Sequence, residues 1–114
     1  MGAIKGLVQA VDKNKNTFPC STPASGWVDC RVLAASTHEA HTVPAGAKYV
    51  LVSVTVNTFI NIGGTATVVA ADITDGSSSI LVVNTLPRLF VLNGATTIGV
   101  IASAISTVTL EFFS

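Results

Sequence analysis

The chain has 114 residues, enough for one domain around a single apolar core. Only 11% of it is charged, where roughly 25% is usual, and six basic residues offset six acidic ones. No field is left to steer the chain toward nucleic acid or an anionic membrane, so neither is an expected partner. A mean hydropathy of +0.64 combined with so little charge predicts a surface partly covered by other subunits.

The start, MGAIKGLVQAV, is too short in its apolar part for a signal peptide and has no small-residue cleavage site after it. Gly6 stands where an N-myristoylation motif requires Ser or Thr. Synthesis in a cytosol is expected. The stretch that follows, DKNKNTFPCSTPAS, is polar and contains proline, so residues 1–26 read as an arm or surface loop. Cys20 and Cys30 flank a loop containing Trp27. A bridge between them would close about 11 residues and contribute roughly 2–3 kcal/mol, whereas cysteines of cytosolic products are more often free.

From Trp27 onward strand signals dominate, and residues 27–114 read as one β-domain. Runs rich in Val, Ile, Thr and aromatics predict strands at Trp27–Ala35, Lys48–Val56, Thr58–Ile62, Thr65–Ala71, Ser79–Val83, Arg88–Leu92, Thr96–Ala102 and Ser106–Phe113. Turn signals separate them at Pro44-Ala45-Gly46, Gly63-Gly64, Asp75-Gly76 and Asn93-Gly94, the last with the spacing of a two-residue hairpin. Residues 80–105 are the most apolar, but Asn84, Pro87, Arg88, Asn93 and Gly94 interrupt them, which argues against a membrane span. Short strands at this spacing predict an all-β fold, an antiparallel β-sandwich of jelly-roll-like form with an extended N-terminal segment.

Alternation assigns the faces. Val50, Val52, Val54 and Val56 share one side of their strand, and Tyr49, Leu51, Ser53 and Thr55 the other. Val108, Leu110 and Phe112 likewise oppose Thr107, Thr109, Glu111 and Phe113. The second faces are built of Ser, Thr and apolar residues rather than Lys and Glu, which suits packing against another protein.

Little chemistry is legible. His38-Glu39-Ala40-His41 holds three potential metal ligands in four residues, but its spacing is not that of the helical zinc motif, and it reads as a polar turn before Val43-Pro44. Asp72 and Asp75 lack the alternating oxygens of a calcium loop, and Asp75-Gly76 reads as a turn. No nucleophile elbow or phosphate-binding glycine loop is present. Neither enzymatic activity nor a cofactor is expected. Exposed Trp27 or Tyr49 could stack on a sugar, so a carbohydrate-binding module is an alternative.

Residues Val43–Phe113 carry a resemblance. The order of VPAGAKYV, a Phe/Ile-Asn strand, a Gly-Gly turn, AADITDG and a closing VTLEFF resembles small virion structural proteins of tailed bacteriophages. That resemblance implies a capsid decoration, or cement, protein that binds the outer surface of the assembled capsid and stabilises it. Its partners would be the major capsid protein and itself, as a homotrimer. A tail, head–tail connector or fibre component is the alternative within the virion. The contacts expected on this basis are Lys13, Lys15 and Phe18 in the arm, Trp27 beside it, and Phe113.

Overall fold

The computed structural model describes Ile4 and residues 26–114. Eight strands run along the described chain: β1 (Trp27–Leu33), β2 (Glu39–Thr42), β3 (Tyr49–Val54), β4 (Thr58–Ile62), β5 (Ile80–Val82), β6 (Arg88–Val91), β7 (Thr97–Ala102) and β8 (Ser106–Phe113). They form two four-stranded sheets, β1-β8-β3-β6 (sheet 1) and β2-β7-β4-β5 (sheet 2), in which every pairing is antiparallel. This interleaving is the jelly-roll order, since the chain changes sheet at every connection except β4 to β5. The expected all-β sandwich is the observed fold.

The inner faces follow the period of two. On sheet 1, Val50, Val52, Val108, Leu110 and Phe112 are fully buried, and on sheet 2 Ile60, Val82, Ile98, Val100 and Ala102 oppose them. Each large aliphatic buried this way contributes about 1.5–3 kcal/mol, and this layer is what holds the sheets together. Ile4 and Trp27 pack against its margin. One polar pair crosses the layer: the Thr58 and Ser106 hydroxyls lie 3.0 Å apart, fully buried, and each is within hydrogen-bond reach of the Val56 carbonyl. Burial is tolerable there because these polar atoms have partners.

Three local expectations are corrected. The segment Thr65–Ala71 is not a strand; it has the β-branched composition of one but no ladder partner, and its anchor is the buried Ala66. The polar turn expected at His38–His41 is instead largely strand, because β2 (Glu39–Thr42) pairs along β7 from Glu39↔Val100 to Thr42↔Thr97. Asn93-Gly94 does form the tight turn, with φ of 55° and 82° and Ala95 N donating to Leu92 O at 2.9 Å. It is not a hairpin, however, because β6 and β7 belong to different sheets. The turn at Asp75-Gly76 forms as expected: Asp75 Oδ1 accepts from the Ser77 hydroxyl and backbone N–H, and these bonds hold the carboxyl below the usual carboxylate range. Cys30 is a free, exposed thiol, and Cys20 lies outside the described residues.

Gly99 shows how closely the chain packs on the outer side of β7. A Cβ built there would collide with Gly64 O and would lie 2.8 Å from His38 Nε2 and 2.9 Å from Ala66 N. Gly99→Ala is therefore expected to destabilise the domain by about 2–3 kcal/mol, the cost of overpacking against backbone that cannot step aside. A urea midpoint equal to wild type would show that residues 64–66 do not press on β7.

Candidate functional site

Strand β1 reverses the usual alternation. Its side chains aimed between the sheets are Trp27, Asp29, Arg31 and Leu33, whereas Val28, Cys30 and Val32 point outward, with Val28 and Val32 53% and 67% exposed. Across the gap β2 offers Glu39 and His41. Arg31 donates from its guanidinium to Glu39 Oε1 and from Nε to His41 Nδ1, both at 2.7 Å. Because Nδ1 accepts that bond, the ring proton sits on Nε2, which lies 2.7 Å from Asp29 Oδ2. Asp29 Oδ2 also accepts from Trp27 Nε1 at 3.2 Å, and the His41 ring stacks on Phe112 at 5.9 Å. These groups form a polar seam joining the edge strands of the two sheets.

The seam closes one edge of the sandwich. Both ring nitrogens of His41 are engaged, by Arg31 and by Asp29, so neither is free to serve as a base for a nucleophile. Charged side chains turned inward on an edge strand also prevent another strand from adding to that edge. The seam draws two of the three potential ligands of the HEAH run, Glu39 and His41, toward β1. His38 lies away from them, its Nε2 buried beside Gly99 without a hydrogen-bond partner among the described residues. No cluster of three or more His, Cys, Asp or Glu able to hold a metal occurs among the described residues.

With its charges inside, β1 extends a bare outer face over sheet 1. The register places Val28, Glu111, Leu51 and Leu89 in one row, Cys30, Thr109 and Ser53 in the next, and Val32 beside Thr107. Tyr49 and Val91 continue the face at its other end. Leu89 and Val91 are 47% and 63% exposed, and Glu111 is the one charged residue among these. Sheet 2 is different. Residues 64–66 fold back over Gly99, Ala66 is buried, and Asn61 Nδ2 donates to Thr65 O at 3.4 Å. The chain itself covers the outer side of sheet 2 over Gly99, whereas Val28, Val32, Leu89 and Val91 on the outer side of sheet 1 stay exposed.

A recess of about 390 Å³ opens where β3 and β6 meet the Asn93-Gly94 turn, lined by Ala47, Lys48, Tyr49, Val91, Asn93 and Gly94. Lys48 is exposed and has no ion-pair partner among the described residues.

Of the residues expected as contacts, Lys13, Lys15 and Phe18 lie outside the described residues. Trp27 is partly buried, packs on the core and bonds Asp29, so it belongs to the seam. Phe113 is fully buried. Asp29, Arg31, Glu39 and His41 were missed as a group. Their signal was present as Asp-x-Arg and Glu-x-His, pairs spaced by two residues that share one face of a strand.

Removing Arg31 leaves Glu39 and His41 Nδ1 without a donor. Arg31 and Glu39 side chains are each 30% exposed, so water recovers part of the loss. Arg31→Ala is expected to cost about 1–2 kcal/mol, read from the urea midpoint. A cost near zero would make the seam a surface ornament. Compared with known protein families, curated proteins and solved structures, the chain matches none.

Proposed function

We propose that this chain is a non-enzymatic decoration, or cement, protein of a bacteriophage virion, attached to the outer surface of the assembled capsid. The observation that carries the reading is the outer face of sheet 1, where a four-stranded sheet exposes Val28, Val32, Leu89 and Val91 and has Glu111 as its one charge. A nearly uncharged sheet face that exposes apolar side chains along both of its edge strands is suited to cover by another protein. Two further points favour it: jelly rolls are a recurrent architecture of viral capsid domains, and the VPAGAKYV-to-VTLEFF framework resembles virion structural proteins. Fold alone does not assign function, so the weight rests on the face.

Stabilisation then follows from mass action. A protein that binds only the assembled shell shifts its equilibrium against opening, by about 2.7 kcal/mol per site when present at one hundred times its dissociation constant. No bond need be made or broken, and no cofactor is called for.

The recess at Tyr49, Lys48 and Asn93 favours a second reading, a carbohydrate-binding sandwich, because it offers a ring, an amide and an ammonium around a ligand-sized space. Specific retention of one glycan class by the isolated protein, abolished by Tyr49→Ala, would support that reading over the first.

The capsid reading is tested by mixing the protein with cognate shells, sedimenting them and imaging the pellet. The expected result is many copies distributed over the shell and a higher temperature of shell opening. Protein left in the supernatant, or copies confined to one vertex, would overturn it. Deleting the first 20 residues is expected to weaken attachment while the far-UV spectrum remains that of a β-sheet. Undiminished attachment would remove the N-terminal segment from the contact.

A further inference from the structure

We infer that the polar seam between β1 and β2 is an acid-sensitive latch: protonation of His41 expels Arg31 and frees the Glu39 end of β2 from sheet 1. The device lies at the edge of the sandwich and is independent of what the outer face of sheet 1 binds.

Hydrogen positions decide which contacts survive acid. A guanidinium has donors but no acceptor, and it is always charged. The 2.7 Å contact from Arg31 Nε to His41 Nδ1 therefore exists only while the imidazole is neutral and Nδ1 keeps its lone pair. Protonation puts an N–H on both sides of that contact, and two donors of like charge repel at such a distance. The other ring nitrogen behaves oppositely. His41 Nε2 donates to Asp29 Oδ2 in either charge state, and the bond strengthens when the ring is charged. Acid thus keeps the His41–Asp29 pair and removes Arg31. The same guanidinium holds Glu39 Oε1 at 2.7 Å, so Glu39 loses its tie to β1 as Arg31 leaves. Both of these side chains are 30% exposed, which gives water access to them.

The surroundings of His41 supply no second base or acid to cushion the change. It faces Asp29 and Arg31 from β1, Glu39 on its own strand and the uncharged ring of Phe112 from β8. Strand β7, to which β2 pairs, contains no titratable side chain. Glu111 of β8 has the outward parity of its strand, and His38 lies on the outer side of sheet 2 beside Gly99. The element at stake also has few other anchors. Strand β2 adds no side chain to the apolar core, so its ladder with β7, the Phe112 stack and the seam are what hold it. Trp27, the single tryptophan of the chain, donates to the same Asp29 oxygen that His41 Nε2 reaches, so its indole lies beside the ring that changes charge.

The test is a titration of the full chain from about pH 8 to about pH 5, the range in which histidine side chains change charge. Trp27 emission is followed together with nitrogen NMR of the histidine rings and the arginine Nε–H groups, and far-UV spectra confirm that the sheets persist. Expected are quenching of Trp27 by the charged imidazole and loss of the Arg31 Nε–H signal at the midpoint of His41 protonation. Below that midpoint the β2 amides bonded to β7 should lose protection against hydrogen exchange about tenfold. Glutamine can accept from Arg31 and donate to Asp29 as the neutral ring does, so His41→Gln should keep the seam and abolish the emission change. His38→Gln should leave it intact. Arg31→Ala removes the competitor for Nδ1 and should move the transition to higher pH by at least about half a unit, a threefold gain in proton affinity. An Arg31 Nε–H signal that outlasts His41 protonation, a transition unmoved by Arg31→Ala, or an emission change retained in His41→Gln overturns the inference. So does a His41 ring that stays neutral across the range, or loss of the β-sheet spectrum before it titrates.

Discussion

The two-residue period of β8 is the constraint on which the rest of the domain depends. Lying between β1 and β3, this strand sets the register of both neighbours, from Trp27↔Phe112 on one side to Val54↔Val108 on the other. Its inward residues Ser106, Val108, Leu110 and Phe112 are all fully buried. A shift of either neighbour by one residue would turn its inward set outward, so the apolar wall that β8 presents also decides which way β1 and β3 face. For β3 the outcome is conventional. For β1 it sends an aspartate and an arginine into the gap between sheets, which is stable only because β2 runs opposite and carries complementary groups.

That dependence explains what could be read from the amino-acid sequence and what could not. Ser106–Phe113 and Thr58–Ile62 were legible to the residue, because their alternation is uninterrupted and their neighbours are turn formers. The inward side of β3 was legible for the same reason. Strand β2 was not, since four residues containing Glu and His have no β preference of their own and become a strand through pairing with β7. Thr65–Ala71 failed in the opposite sense: local composition favoured a strand, but the segment lies against Gly99 and never meets an edge. In both cases long-range contacts overrode local preference.

The candidate site was legible only in part. A nearly uncharged outer face on β3 and β8 followed from counting charges along alternating positions. The polar seam did not follow, because it depends on two strands of different sheets meeting at one edge, and nothing in Asp-x-Arg specifies Glu-x-His as its partner. Phe113 illustrates the same limit: at the end of an alternating strand it belongs by parity to the outer set, yet it is completely enclosed.

The connection from β4 to β5 has a practical consequence. It is pinned near its beginning by Ala66 and near its end by Ser79, whose hydroxyl accepts from Thr67 N at 2.9 Å, while residues 70–78 are exposed throughout. Residues 64–66 lie against sheet 2, on the side of the sandwich opposite the open face. A foreign peptide spliced into the exposed stretch would disturb neither ladder nor core. The domain therefore contains a natural display position, from which an epitope or enzyme tag could be presented without touching the outer face of sheet 1.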